Sequence, residues 1–489
     1  MKKYILIILC CLTSFPLWSY NVNMIVEHYS VDQGLPNNTV NCTLKDRDGF
    51  IWFGTWYGLC CFDGVKFKTF NKQEHDSDVP PRKIQRIVED KNGYIWVKTI
   101  DRKLYVFNKV TECFHAVYDD MKNYSENIQV IKLQNTAEGD VLLLTKDKNL
   151  LLAGVDEKGQ VTIKILFDSR DEINKHDYTL KHHVLCETEE YISWIGTDYK
   201  VSAVHKGAEL ASRPADFITS KINSGDKDSF TSFFEDGRKV WVGDRAGIFY
   251  SIDVRTGLVN RYVLSEIKGA ISNLLVTPAG YVYLSVAGQG TYEYDLAERR
   301  LQKINTEMND AMVTHAFIDQ YDKIWFHENE KALIYYDPLN HTAKRFPFTM
   351  FGKITTLYSE DAGERGLFFL SPAGEAWLFD REHAEMVYIN KLKQLSNDRA
   401  NQQFYHLMLD NDGVLWLSSA DEGVYCMNFP KKQFNLLSLS PQSAGRENYA
   451  TGVRARFPIK NVAISGGHPL AECLSDGPER CNQTCFFDR

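Results

Sequence analysis

Apolar residues fall near every second position in short runs such as "VNCTLKD" (40–46) and "IQRIVED" (84–90), the mark of a strand with one buried face. Each run ends in a tight turn, "DRDG" (46–49), "DKNG" (90–93) or "DNDG" (410–413). Gly and Asn tolerate positive φ there, and Asp caps its own turn. A second strand follows, "FIWFGT" (50–55), "YIWVKT" (94–99) or "VLWLSS" (414–419). A short loop leads to a third, "GLCCFD", "KLYVFN" or "GVYCMN", and an aromatic-bearing segment such as "VKFKTF" or "ECFHAV" makes a fourth.

The unit recurs nine times. Its tryptophan position is occupied by Trp52, Trp96, Leu142, Trp194, Trp241, Tyr283, Trp325, Phe369 and Trp416, at spacings of 42 to 52 residues. Eleven or twelve residues later most copies carry an Asp or Asn: Asp63, Asn108, Asp253, Asp295, Asp337, Asp380 and Asn428. Four antiparallel strands in roughly 40–45 residues is the size of one propeller blade. The pattern therefore predicts an all-β chain built from blades. A lone blade leaves both faces bare, so Trp52, Trp96, Trp194, Trp241, Trp325 and Trp416 are expected to pack the seams between blades. A β-solenoid would show shorter, stricter repeats, and a sandwich would lack such self-similarity. Helical readings fail because the apolar period stays near two.

"GLPNNTVNCTLKDRDGFIWFGTWYGLCCFDG" (34–64) resembles the two-component regulator propeller repeat, which fills the sensor region of hybrid two-component systems in gut Bacteroidetes. The resemblance covers roughly residues 22–435 and is strongest in the first, second, fifth and ninth copies. "IVEHYSVDQGLPNN" resembles the family's opening, whose first strand serves as the outer strand of a closing blade. The family implies a periplasmic sensor of oligosaccharides with two seven-bladed rings, an immunoglobulin-like domain, a membrane helix and a kinase. By that template the chain divides into a seven-bladed β-propeller at 20–340, an incomplete second propeller of two blades at 341–440, and an irregular tail at 441–489. The bare sheet edges of an incomplete ring predict that residues 341–489 are less stable than a protected fragment of the first 340 or so. The segment from about 454 departs from the family pattern and reads as aberrant, as in a truncated product without membrane, kinase or output parts.

Composition narrows the partners. Apolar residues make 44 % of the 489 residues and charged ones 25 %, as in a globular chain, and aromatics reach 13 %. The net charge is −8 with no basic block, which argues against nucleic acid. "MKKYILIILCCLTSFPLWS" (1–19) has a positive start and a short apolar run, the pattern of a signal peptide cleaved after Ser19, and no later stretch has the length of a membrane span. The expected location is the periplasm. Of eleven cysteines, Cys42, Cys60, Cys61, Cys113, Cys186 and Cys426 are scattered through apolar stretches and read as buried small hydrophobes rather than a disulfide framework. His468, Cys473, Cys481 and Cys485 lack the paired C-x-x-C spacing of zinc sites. No metal and no cofactor are expected.

Catalytic motifs are missing from the text: no G-x-S-x-G, H-E-x-x-H, phosphate loop or dinucleotide fingerprint occurs. "DRDG" lacks the alternating ligands of a calcium loop, and its register is one residue off a sialidase Asp-box. Ligand contacts are expected on the loops between second and third strands, which share a face with the inter-blade connections. Those loops carry Trp56, Tyr57, Arg102, Lys148, Tyr199, Arg245, Gln289 and Glu328. Aromatic faces stack on sugar rings while charged and amide groups bond hydroxyls, so an oligosaccharide suits this mixture. The expected function is non-enzymatic sensing, with a homodimer as an expected assembly. A secreted glycan lyase or hydrolase and a protein-binding scaffold are the alternatives.

Overall fold

Each repeat copy forms one antiparallel four-stranded sheet, because its second and third strands are apolar on both faces and its turns are self-capping. The computed structural model describes residues 25–70, 80–121, 129–146, 149–167, 185–187, 190–195, 201–206, 215–216, 230–304, 313–328, 331–351, 358–361, 366–371, 375–391 and 404–428. Among them are thirty-six strands, β1 to β36 in chain order, in nine sheets. Blade 1 is β2 (Val40–Lys45), β3 (Ile51–Thr55), β4 (Gly58–Phe62) and β5 (Phe67–Phe70). Blade 2 spans 84–116, and blades 3 to 8 follow at 130–167, 185–216, 230–263, 271–303, 313–347 and 358–391. The only helical pieces among the described residues are single turns.

The ninth blade closes the ring. It combines β34 (Phe404–Leu409), β35 (Val414–Ser419) and β36 (Val424–Asn428) with β1 (Ile25–Tyr29), in the order β1-β36-β35-β34. β1 pairs with β36 over its whole length, from Ile25 opposite Asn428 to Tyr29 opposite Val424. Blade 9 also packs on blade 1: Trp416, Val424 and Cys426 share a core with Val40, Phe53 and Phe62. Thr43 and Ser418 hydroxyls meet across that seam at 2.7 Å, and Lys45 pairs with Asp410 at 3.3 Å. The all-β propeller class stands, but its division into a closed ring of seven and a partial second ring does not. The closing strand finds its partner in the ninth sheet, so the seventh and eighth sheets pack on each other as any neighbours do. Residues 341–428 therefore belong to the same unit as the first seven blades, which runs to Phe429. The chain from Pro430 is a second unit outside the described residues, as are the signal segment 1–19 and the tail 441–489.

Apolar side chains fill the seams. Trp52 and Phe70 meet Phe107 and Phe114 between blades 1 and 2, and Trp96 meets Val130, Leu133 and Leu143 between blades 2 and 3. Trp241 packs on blade 6, and Trp325 faces Phe369 and Phe379 of blade 8, the latter at 4.7 Å. Trp416 stands 5.8 Å from Phe53. The side chain of Trp194 lies outside the described residues. Between blades 3 and 4 the bonds are polar: Lys164 Nζ donates to the Lys206 carbonyl at 3.2 Å, and the Ala137 amide to Glu187 at 3.0 Å. Where Tyr283 replaces tryptophan, its hydroxyl and that of Tyr336 both donate to the buried Glu293, at 3.1 and 3.0 Å. Burial, followed by the nearby Glu293, holds both phenols above the usual tyrosine range.

A second device ties each described seam tryptophan to its turn. The first Asp of "DRDG" accepts the amides of Asp48 and Phe50 through Oδ1, while its Oδ2 accepts the Trp52 indole N–H at 2.8 Å. Asp90 repeats this for Trp96 at 2.9 Å, Asp319 for Trp325 at 3.3 Å and Asp410 for Trp416 at 3.2 Å. The motif is thus a latch between hairpin and seam. Asp63, Asn108, Asp253 and Asp295 cap the turn between third and fourth strands in the same way. Cys42, Cys60, Cys61, Cys113 and Cys426 are free, and burial pushes the Cys42, Cys61 and Cys426 thiols up to about 12. Cys186 has its side chain outside the described residues.

Two outcomes follow from closure and latch. A chain of residues 25–347 leaves β1 without a partner and should show no cooperative thermal transition, whereas 25–429 should melt as one unit; a cooperative 25–347 melting within a few degrees of it would refute closure at nine. Asp90→Ala strips the acceptor from the Trp96 indole and should cost about 1–3 kcal/mol in urea unfolding. Asp90→Asn keeps an oxygen for the turn amides and should cost less.

Candidate ligand-binding face

Backbone hydrogen bonds join the loops between second and third strands to the segments entering each first strand. The Trp56 amide donates to Thr39 at 3.2 Å, and its carbonyl accepts from Lys83, which precedes blade 2, at 3.0 Å. Ile100 then donates to Lys83 at 2.9 Å, Val130 to Arg102 at 3.0 Å, and Lys146 to Gln129 at 2.8 Å. Gly423 donates to Asn38 at 2.9 Å and so continues the series from blade 9 to blade 1. The loops and inter-blade connections thus form one hydrogen-bonded face. Thr55, Thr99, Thr145 and Ser419 hydroxyls close the individual loops.

On this face Trp56 and Tyr57 are exposed, the tyrosine to 64 %, unlike the seam tryptophans. The Lys83 ammonium lies 5.0 Å from the Trp56 ring centroid, a cation–π pair that orients the indole. Arg102 of the neighbouring blade is exposed, with Nη1 3.4 Å from Gln129 Oε1. Lys83 (φ 51°) and Arg102 (φ 66°) both hold left-handed backbone, which costs an L-residue about 1 kcal/mol each. Trp56, Tyr57, Lys83 and Arg102 therefore make one patch across blades 1 and 2.

The other loop residues lie elsewhere. Arg245 is exposed on blade 5, in a turn capped by Asp244. Gln289 on blade 6 has its amide engaged: Nε2 donates to the Glu266 carbonyl at 3.1 Å, and Oε1 accepts from the Lys268 amide at 2.7 Å. Glu328 ends the second strand of blade 7, is 3 % exposed, and accepts from Arg345 at 2.9 Å. Lys148 and Tyr199 lie outside the described residues. Blades 3 and 4 on one side and 8 and 9 on the other separate blades 5–7 from the Trp56 patch. Lys83 and Gln129 carry no repeat signature; their place just ahead of a first strand is the signal that marks them.

On the opposite, hairpin-turn face, Asp46, Asp48 and Glu89 converge, but around an ammonium. Lys109 Nζ lies 3.0, 2.8 and 2.8 Å from their oxygens. Burial works against its charge, yet the bonds to Asp48, Glu89 and Asp46 outweigh this and hold its pKa above the usual lysine value. A lysine fills the place a cation would take.

Residues 34–57 match the family model described as two component regulator propeller. That segment is similar to one regulator propeller repeat. The matched segment ends at Tyr57, so the repeat carries the aromatic pair at its edge. No curated protein matches the chain. Among solved structures, the extracellular domain assigned to one hybrid two-component system of B. thetaiotaomicron is 17 % identical, with 86 % of this chain and 55 % of that one covered and a TM-score of 0.34. A second such domain from B. thetaiotaomicron is 13 % identical, with 82 % and 66 % covered and a TM-score of 0.34. Virginiamycin B lyase from Staphylococcus aureus is 10 % identical, with 83 % and 99 % covered and a TM-score of 0.36. The chain spans 55 % and 66 % of the two extracellular domains. No helix among the described residues is long and apolar enough to cross a membrane.

The inner strands add a pH response. His406 on β34 is pushed down to about 4, by burial first and then by Arg86, and its Nδ1 has no hydrogen-bond partner among the described residues. The unfolded imidazole takes a proton near 6.5 while the folded one resists it until about 4. Stability is therefore whole above pH 6.5 and falls as pH drops toward 4. His406→Phe should reduce the loss between those pH values by about 1–3 kcal/mol, read from urea midpoints across the window.

Proposed function

We propose that the protein is a non-enzymatic ligand-sensing propeller that binds an oligosaccharide outside the cytoplasm. The observation that carries this reading is the exposed Trp56–Tyr57 pair, set at the edge of a regulator propeller repeat on a face of hydrogen-bonded loops. An indole held in place by Lys83 offers a pre-ordered platform for a sugar ring, and Tyr57 and Arg102 add groups that bond hydroxyls. Two left-handed residues in one patch support a functional shape, since such backbone persists where surroundings impose it. Binding to a closed ring changes little within a blade, so a signal would pass through altered packing between copies or neighbouring domains, with a homodimer as the simplest assembly.

Calorimetric titration against a panel of plant and host oligosaccharides tests this. Saturable binding without turnover is expected, and Trp56→Ala should weaken it about tenfold, or 1.4 kcal/mol. Product formation from any bound member of the panel would replace sensing by lyase or hydrolase activity. Unchanged affinity in Trp56→Ala would remove the ligand from this patch.

A further inference from the structure

Blade 2 places two cations directly opposite each other. Arg86 on β6 (Ile84–Glu89) is the register partner of Lys98 on β7 (Ile95–Thr99). Like charges at such positions repel, and sheets avoid them. Lys98 is 6 % exposed, and its ammonium donates to two neutral acceptors, Gln85 Oε1 and the Ile131 carbonyl of blade 3, each at 2.7 Å. Arg102 adds a third positive charge: burial first, then Arg102 and Arg86, push the Lys98 pKa down to about 8. Among the described residues none of these three forms an ion pair. The loop carboxylate next to Arg102, Asp101, accepts from Thr99 and lies 3.5 Å from Lys103. A chain of net charge −8 thus gathers in one blade three cations that have no ion-pair partner among the described residues.

Burying an unpaired ammonium is costly, and a fold relieves that cost with an anion. Arg86 is exposed, so its guanidinium fork is free to grip an oxyanion directly while Lys98 supplies field from behind it. The site adjoins the aromatic patch: Lys83, which lies against Trp56, is one residue ahead of β6. We propose that Arg86, backed by Lys98 and Arg102, binds the carboxylate or sulfate group of an acidic oligosaccharide whose sugar ring stacks on Trp56. The saccharide part rests on the sensing function proposed above; the anion site does not.

The probes are inorganic sulfate and a matched pair of oligomers, galacturonic acid against galactose, on the full chain. Comparing wild type with Arg86→Gln cancels the general stabilisation by sulfate. Sulfate should raise the wild-type melting temperature about 2–4 °C more than that of Arg86→Gln. Lys98→Met should also lose much of the sulfate response while melting no lower than wild type, since it removes a buried charge. The acidic oligomer should bind wild type at least about tenfold more tightly than the neutral one, and Arg86→Gln should erase the preference. Equal sulfate responses in wild type and Arg86→Gln would overturn the anion site, and would leave sensing intact if neutral oligomers still bind through Trp56. A sulfate difference with equal affinity for both oligomers would overturn the acidic ligand class.

Discussion

A four-stranded sheet whose central strands are apolar on both faces cannot be satisfied by solvent on either. The second strand of blade 1, Ile51–Thr55, is buried at every position, and so is that of blade 2. Each sheet must lean on two others, and the only finite arrangement that gives every sheet two neighbours is a circle. The hydrophobic seam is therefore the constraint from which the rest follows. It sets a large side chain at one position per blade, tryptophan in six of the nine, requires the last blade to meet the first, and leaves the loops on one face to vary.

The aspartate–tryptophan latch couples this seam to local backbone. Asp46 satisfies two turn amides and one indole, so the hairpin cannot distort without releasing the wedge between blades. Blade 6 reaches a similar end by other chemistry, with Thr277 closing the turn and Tyr283 reaching Glu293. That substitution carries a buried carboxylate into a seam lined mostly by apolar side chains, and two phenols donate to it.

Much of the fold is legible in the repeat. Trp52, Trp96 and Trp416 mark their blades because a large flat side chain suits one place in the seam, and "DRDG" marks its hairpin because Gly49 needs φ of 93°. The blade number at closure is not legible, because it depends on how β1 meets β36, a pairing between residues 395 to 403 positions apart. A local hint exists in Asn428, which holds the position that caps a turn in Asp63 and Asn108, although its fourth strand comes from the other end of the chain. For the candidate site, the exposure of Trp56 and Tyr57 follows from their place outside the repeat's packing position. The engagement of Gln289 and Glu328 does not, since their partners, the Glu266 carbonyl and Arg345, belong to segments with no fixed spacing. The opposition of Arg86 and Lys98 becomes visible only once strand register is known.

The clasp between β1 and β36 also makes the ring indifferent to where its chain is cut. Ile25 stands opposite Asn428 with the polarity of an ordinary hairpin, so a short linker between them would reproduce the turn that blade 1 has at Asp63–Lys66. A circular permutant opened at another such turn, for example at Asp63–Lys66, would keep all nine sheets and all nine seams. The order of blades is cyclic, and seam packing alone does not dictate at which hairpin the ring opens.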